Sequence, residues 1–134
     1  MTLTVILKIC LIWLAILVLA VLNGGLREAV LMKHLDLTTA QLISGGLLCA
    51  AILLMALWLV PWLGIYDARS LWLVGVVWLV LTLVFEFSFG LARGLNWSQM
   101  LAAYTFKDGN LWPLCLLITL TAPWLVGWYR GWFN

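Results

Sequence analysis

The chain has 134 residues, of which 66% are hydrophobic and 9% charged, with a formal net charge of +2 and a mean hydropathy of +1.16. A soluble domain is roughly 45–50% apolar and about 25% charged, and one this small leaves too much surface exposed to hide the excess. These numbers exclude a multidomain machine, a disordered chain, a disulfide-stapled secreted module and a nucleic-acid binder, leaving a small polytopic membrane protein whose solvent is lipid.

Crossing a hydrocarbon core of about 30 Å takes about 20 helical residues, and four apolar stretches meet that length: 4–22, 39–62, 70–90 and 111–129. In the first, Lys8 is near enough to the start to snorkel into the headgroups. A cleaved signal peptide is a rival reading of this segment; we expect it to be retained as a span. Asn23-Gly24-Gly25 is expected to end it, after which Leu26 to Leu35 reads as a short helix along the interface. The second span is entered through Thr38 and Gln41 at capping-box spacing and ends near Pro61 and Gly64. Gln41, Ser44, Gly45, Leu48, Ile52, Met55 and Ala56 share one face of it, where small residues let another helix come close.

The third span carries the most informative residue, Glu86, in Phe85-Glu86-Phe87-Ser88-Phe89, about a turn from its expected end. At 100° per residue, Gly75, Thr82, Glu86 and Arg93 fall within about 20° of one line, with Trp78, Phe89 and Gly90 beside it. The opposite face, Leu73, Val77, Val80, Val84, Phe87 and Leu91, is wholly apolar. The carboxylate therefore points into the bundle. A buried charge costs roughly 2.5–3.5 kcal/mol at mid-span, so it must find a cation or take up a proton. Arg93 and Arg27 are the available partners. Their pairing would pin the third span to the first loop; the sharper reading is a titratable carboxylate for moving a proton or holding a cation.

In the loop that follows, Ser98 is placed to cap a second short amphipathic helix through Tyr104, and Lys107-Asp108-Gly109-Asn110 turns the chain back. Asn110 is a natural N-cap for the fourth span, and Pro113 falls in its first turn, where a missing amide costs little. Pro123 lies inside that span, where it should kink the helix and free the carbonyl of Thr119, with the hydroxyls of Thr119 and Thr121 at hand to settle it. Trp112, Cys115, Thr119, Ala122 and Pro123 share a face. Seams on three of the four spans point to an all-α antiparallel four-helix bundle, with short interfacial helices in the first and third loops.

An even number of spans puts both termini on one side. Trp62, Trp72, Trp128 and Trp132, with Tyr66 and Tyr129, then form the aromatic belt of that interface. Lys8, Arg69 and Arg130 flank this side, and Arg27, Lys33, Arg93 and Lys107 the other. Pairing of Arg27 and Arg93 with glutamates weakens their vote, which favours a cytoplasmic N-terminus. The opposite rim holds the candidate polar site: Glu86, Arg93, Arg27, Glu28, Asn23 and Asn110.

No cofactor or metal set is legible. His34 stands alone, and Cys10, Cys49 and Cys115 lie in spans without metal or redox spacing, as small packing residues. Phosphate-binding, dinucleotide and nucleophile-elbow patterns are missing.

Through Asn23-Gly24-Gly25-Leu26-Arg27-Glu28-Ala29, Trp78, Thr82 to Gly90, Trp97, Gly109 to Trp112 and Ala122-Pro123, the chain resembles a group of short bacterial four-span membrane proteins with an NGxxRE and an FEFxFG segment. The likeness covers nearly the whole chain and implies a bacterial inner-membrane setting; it implies no reaction. That group carries arginine where Asn110 stands here and an acidic residue where Ala103 stands.

The functional reading is an accessory or scaffold subunit acting through helix seams and the charged rim, with the bilayer, further copies or other membrane subunits as partners. An oligomeric transporter or channel for protons or small ions, using Glu86, is the alternative, and an intramembrane enzyme the third reading.

Overall fold

The computed structural model describes residues 2–102, 105 and 109–133, and every regular element in them is helical. Four helical stretches, Leu3–His34, Leu37–Leu63, Ala68–Ala92 and Trp112–Tyr129, are long and apolar enough to cross a membrane. The chain is an all-α integral membrane four-helix bundle.

Helix α1 (Leu3–Leu26) begins at Thr2, whose side chain accepts from the Val5 amide. It does not stop at Gly24-Gly25. It passes through both, widens into a π turn over Arg27–Leu31 and ends as α2 (Met32–His34). A glycine costs a helix interior only about 1 kcal/mol, and the Arg27 amide engages the carbonyls of both Asn23 and Gly24, so no chain break is called for.

Helix α3 (Leu37–Leu59) has Asp36, not the Thr38–Gln41 pair, at its N-cap. It tightens into a 3-10 turn over Val60–Leu63 and is closed by Gly64 at φ 72°, a left-handed conformation that glycine adopts without penalty.

Helix α4 (Ala68–Ala92) runs past Gly90, which sets Glu86 roughly 9 Å inside its end, deeper than expected. Helix α5 (Trp97–Ala102) is capped by Asn96 rather than Ser98. The Gln99 amide donates to Asn96 Oδ1 (2.8 Å) and the Asn96 amide to Gln99 Oε1 (2.9 Å), a reciprocal box that a serine two residues on is not placed to make. Ala103, Tyr104, Lys107 and Asp108 lie outside the described residues.

Helix α6 (Trp112–Tyr129) starts where Asn110 Oδ1 accepts from the Trp112 amide (3.2 Å), with Pro113 in its first turn. Pro123 is buried within a continuous helix. The threonine hydroxyls do not serve the Thr119 carbonyl. Thr119 donates to Cys115 O (2.8 Å) and Thr121 to Leu117 O (3.0 Å), one turn back, because helical side chains lean toward the N-terminus.

The helices form a ring in the order α1, α3, α6, α4. Parallel α1 and α4 keep a constant register. The buried Trp78 indole donates to the Ile9 carbonyl (3.1 Å) and the Trp13 indole to Thr82 Oγ1 (3.0 Å), each pair 69 residues apart. Parallel α3 and α6 meet where Cys49 and Cys115, 66 residues apart, bring their sulfurs to 3.1 Å. Antiparallel α1 and α3 are clasped by Asn23 and Ser44, whose hydroxyl donates to Asn23 Oδ1 (2.5 Å) while Asn23 Nδ2 donates to the Ser44 carbonyl (3.0 Å). Antiparallel α4 and α6 touch through Gly75, which rests directly on the Leu120 carbonyl.

Toward the termini the interior is filled by Ile9, Ile12, Ala56, Val60, Leu71, Val74, Trp78 and Val126. The outer face is apolar too, with Val18, Leu54 and Val84 exposed, as lipid solvent requires. Trp62, Tyr66, Trp72, Trp128 and Tyr129 are exposed at the terminus end, where Trp132 packs edge-on to Tyr66.

Two expectations follow from these contacts. Gly75→Ala drives a methyl group into the Leu120 backbone, which cannot rotate away, and should lower stability by about 1–3 kcal/mol. Gly46→Ala, which meets nothing within 4 Å, should leave the detergent melting temperature in place. The second expectation concerns Asp67, the N-cap of α4, whose carboxylate accepts from the Ser70 amide (3.0 Å). Hydrogen bonds from Ser70 hold that carboxyl below the ordinary aspartate value. The cap is therefore complete above the unfolded pKa of about 3.9 and is lost as pH falls through the lower folded value. The Ser70 amide resonance should titrate with a midpoint below about 3.9; a midpoint at or above it removes the cap.

Candidate functional site

Above the Trp13–Thr82 hydrogen bond, toward the rim opposite the termini, the helices leave a partly open cavity of about 870 Å³. Its floor is Trp13, Thr82, Ile52 and Thr119, and its lower walls are Ile16, Leu17, Ala20, Leu48 and Phe85. Its upper walls carry Asn23, Arg27, Glu28, Gln41, Arg93, Gln99 and Asn110, with Leu95 and Met100 from the α5 region beside them. Met100 is held there by Gly90, whose missing side chain leaves the space that the thioether fills. From Thr82 to Arg93 is about three turns, roughly 16 Å, or half of a hydrocarbon core of about 30 Å. Val21 and Phe89 line the cavity yet are 60% and 49% exposed, so the cavity also meets the outside along the α1–α4 seam.

All six residues of the candidate polar site border this cavity, in different states. Asn23 is committed to Ser44. Asn110 is committed to its own loop, donating to the Thr105 carbonyl (2.8 Å) and accepting from the Trp112 amide. Arg93 reaches back over the Phe89 ring, 5.3 Å from its centroid. Arg27 reaches back over Gly24, its Nη2 lying 3.9 Å from where a Cβ there would stand. Glu86 is partly buried, and Glu28 is exposed at the edge.

The expected pinning ion pair is not made: among the described residues Glu86 has no cation within 4.0 Å. The Arg93 guanidinium reaches back only as far as the Phe89 ring, a turn short of Glu86, and that of Arg27 turns over Gly24. In chemical terms the cavity is an apolar slot with a carboxyl low in its wall and two guanidinium groups near its mouth.

Several wall groups are not legible as such in the sequence. Gln41 and Trp112 fall on helix seams by their spacing, but both line the cavity, and Gln41 Oε1 and Trp112 Nε1 are buried with no hydrogen-bond partner. Trp13 and Gln99 give no sequence signal. The Cys49–Cys115 contact depends on a register between parallel helices 66 residues apart that no local spacing encodes. Among the described residues no three metal-ligating side chains come together. Comparison of the chain with family models, with curated proteins and with solved structures finds no match.

The thiol contact is open to test. Copper-phenanthroline oxidation should join Cys49 to Cys115 within one chain, so that maleimide labelling after denaturation falls from three thiols to Cys10 alone. Cys49→Ala should abolish the change; three labelled thiols after oxidation of the unmutated protein would place the two sulfurs apart.

Proposed function

We propose that this integral membrane protein is an accessory or carrier component of the bilayer that receives one amphiphilic molecule in its rim cavity, polar head among the charged residues and chain in the apolar slot. The observation that carries this reading is the match between the cavity and one leaflet: it is half a hydrocarbon core deep, polar at the headgroup level and apolar below. Its volume of about 870 Å³ lies within the roughly 300–1,000 Å³ of pockets that enclose small organic ligands. The seam between Val21 and Phe89 offers a lateral way in from the lipid.

A passage through a single chain has less support. Beneath the floor, Trp78, Ile9, Ile12 and Leu71 fill the interior, and Trp78 is bonded to α1. What enters from the rim would leave by the rim or the seam, which favours reception and presentation to a partner over conduction.

The reading is tested by native mass spectrometry of protein purified in a mild nonionic detergent. One lipid-sized molecule should remain bound to each chain, and Ala20→Trp, which fills the slot from α1, should remove it while the variant still purifies as a folded, monodisperse protein. An unmutated protein that carries no such molecule, or an Ala20→Trp variant that still retains it, would defeat the proposal.

A further inference from the structure

Resting on that binding reading, we propose that the head of the bound molecule is an oxyanion, a phosphate or a carboxylate, held by Arg27, Arg93 and the Trp112 indole N–H. The first argument is the balance of donors and acceptors around the rim. Three amide oxygens in the wall are already occupied by the protein: Asn23 Oδ1 by the Ser44 hydroxyl, Asn110 Oδ1 by the Trp112 amide and Gln99 Oε1 by the Asn96 amide. The strong donors are not. Among the described residues Arg27 and Arg93 donate no hydrogen bond and make no ion pair, and Trp112 Nε1 is buried without an acceptor. A buried indole N–H left unpaired is destabilising until it finds an acceptor, and guanidinium groups bind oxyanions through paired, charge-assisted bonds.

The second argument is height. The offset of 69 residues sets Arg93 level with Gly24. Both arginines lean back toward the N-terminal ends of their helices, Arg27 over Gly24 and Arg93 over Phe89. Trp112 follows Leu111, which packs on Gly45, next to the Asn23–Ser44 clasp. The three donors, from three helices, therefore fall within about one helical turn of height, roughly 5 Å. Glu86 is level with Leu17, about a turn lower, so it does not compete for the same space. The acceptors that remain are Glu86 below, Gln41 Oε1 above and the Glu28 carboxylate, exposed at the outer edge of the cavity; they suit hydroxyl groups on the molecule rather than a second anion.

The test uses the full chain in a nonionic detergent, stripped of bound lipid, and four probes: oleoyl lysophosphatidate, oleate, oleyl alcohol and inorganic phosphate. One or both of the charged chains should bind at one molecule per chain and at least about tenfold more tightly than the alcohol, in line with hydrogen bonds to charged groups being the stronger ones. Arg27→Gln and Arg93→Gln should each remove about tenfold or more of that affinity and leave the alcohol unaffected. Preference for lysophosphatidate identifies a phosphate head, and preference for oleate a carboxylate. Equal binding of alcohol and anions, or unchanged anion binding in both arginine variants, overturns the oxyanion head while the cavity reading stands, provided Ala20→Trp still blocks the alcohol. Inorganic phosphate that binds as tightly as lysophosphatidate overturns the amphiphile and leaves a site for a free anion. If none of the three chains binds, both the head and the cavity reading fail.

Discussion

The arrangement of the bundle depends on a clasp between α1 and α4. In lipid the apolar faces of two helices gain nothing by meeting that they would not gain from acyl chains, so association falls to close packing and hydrogen bonds. Here two indoles do that work: Trp78 on the Ile9 carbonyl and Trp13 on Thr82, whose hydroxyl in turn donates to the Trp78 carbonyl (2.8 Å). Each is worth about 1–2 kcal/mol or less against a reference in which the polar group finds another partner. Both lie in the half of the bundle near the termini. Above them no hydrogen bond joins α1 to α4 among the described residues, and the facing side chains line the cavity instead. The clasp that closes the lower half thereby defines the floor of the upper half.

This division also explains how the chain tolerates its charges. Of the charged residues described, two basic and two acidic, Arg27, Arg93, Glu28 and Glu86, border one cavity. An ionised side chain exposed to hydrocarbon costs several kcal/mol near the centre and progressively less toward the interface. A cavity open at the rim shifts that balance, because water or a polar head solvates what lipid would not. Glu86, roughly 9 Å inside the end of α4, is tolerable only on a face that looks into such a space.

The face of α4 that carries Glu86 was legible from its 100° periodicity: the structure puts Gly75 and Trp78 in the interior and Val80 and Val84 on the outside, while Phe87, read as outward, borders the cavity and Phe89, read as flanking the inner face, is half exposed. The span count followed from length and hydropathy for the same reason. Cap chemistry was less legible. Thr38, Ser98 and Gly24-Gly25 have the right residue types, but a neighbour, Asp36 or Asn96, or a continuing helix prevailed. What could not be read was register between helices. The two offsets that place Arg27 beside the level of Arg93, and Cys49 on Cys115, are set by tertiary contacts such as the close approach at Gly75, not by any local pattern.

The contrast between the two ends gives the rim its character. At the terminus end two of the three cations are spent on helix-terminal carbonyls: Lys8 donates to Trp62 O (3.3 Å) and Arg130 to Leu57 O (2.9 Å), carbonyls left open as the second span ends. At the rim α1 and α4 end differently. The π turn carries α1 onward and uses its carbonyls internally. Helix α4 closes in a Schellman arrangement, the Leu95 amide on Gly90 O and the Gly94 amide on Leu91 O, with Gly94 at φ 79°. Backbone amides thus satisfy the very groups that an arginine would otherwise seek. Arg27 and Arg93 are left with glycine and aromatic surfaces to rest on, at the border of the cavity and, among the described residues, without a backbone carbonyl to hold them.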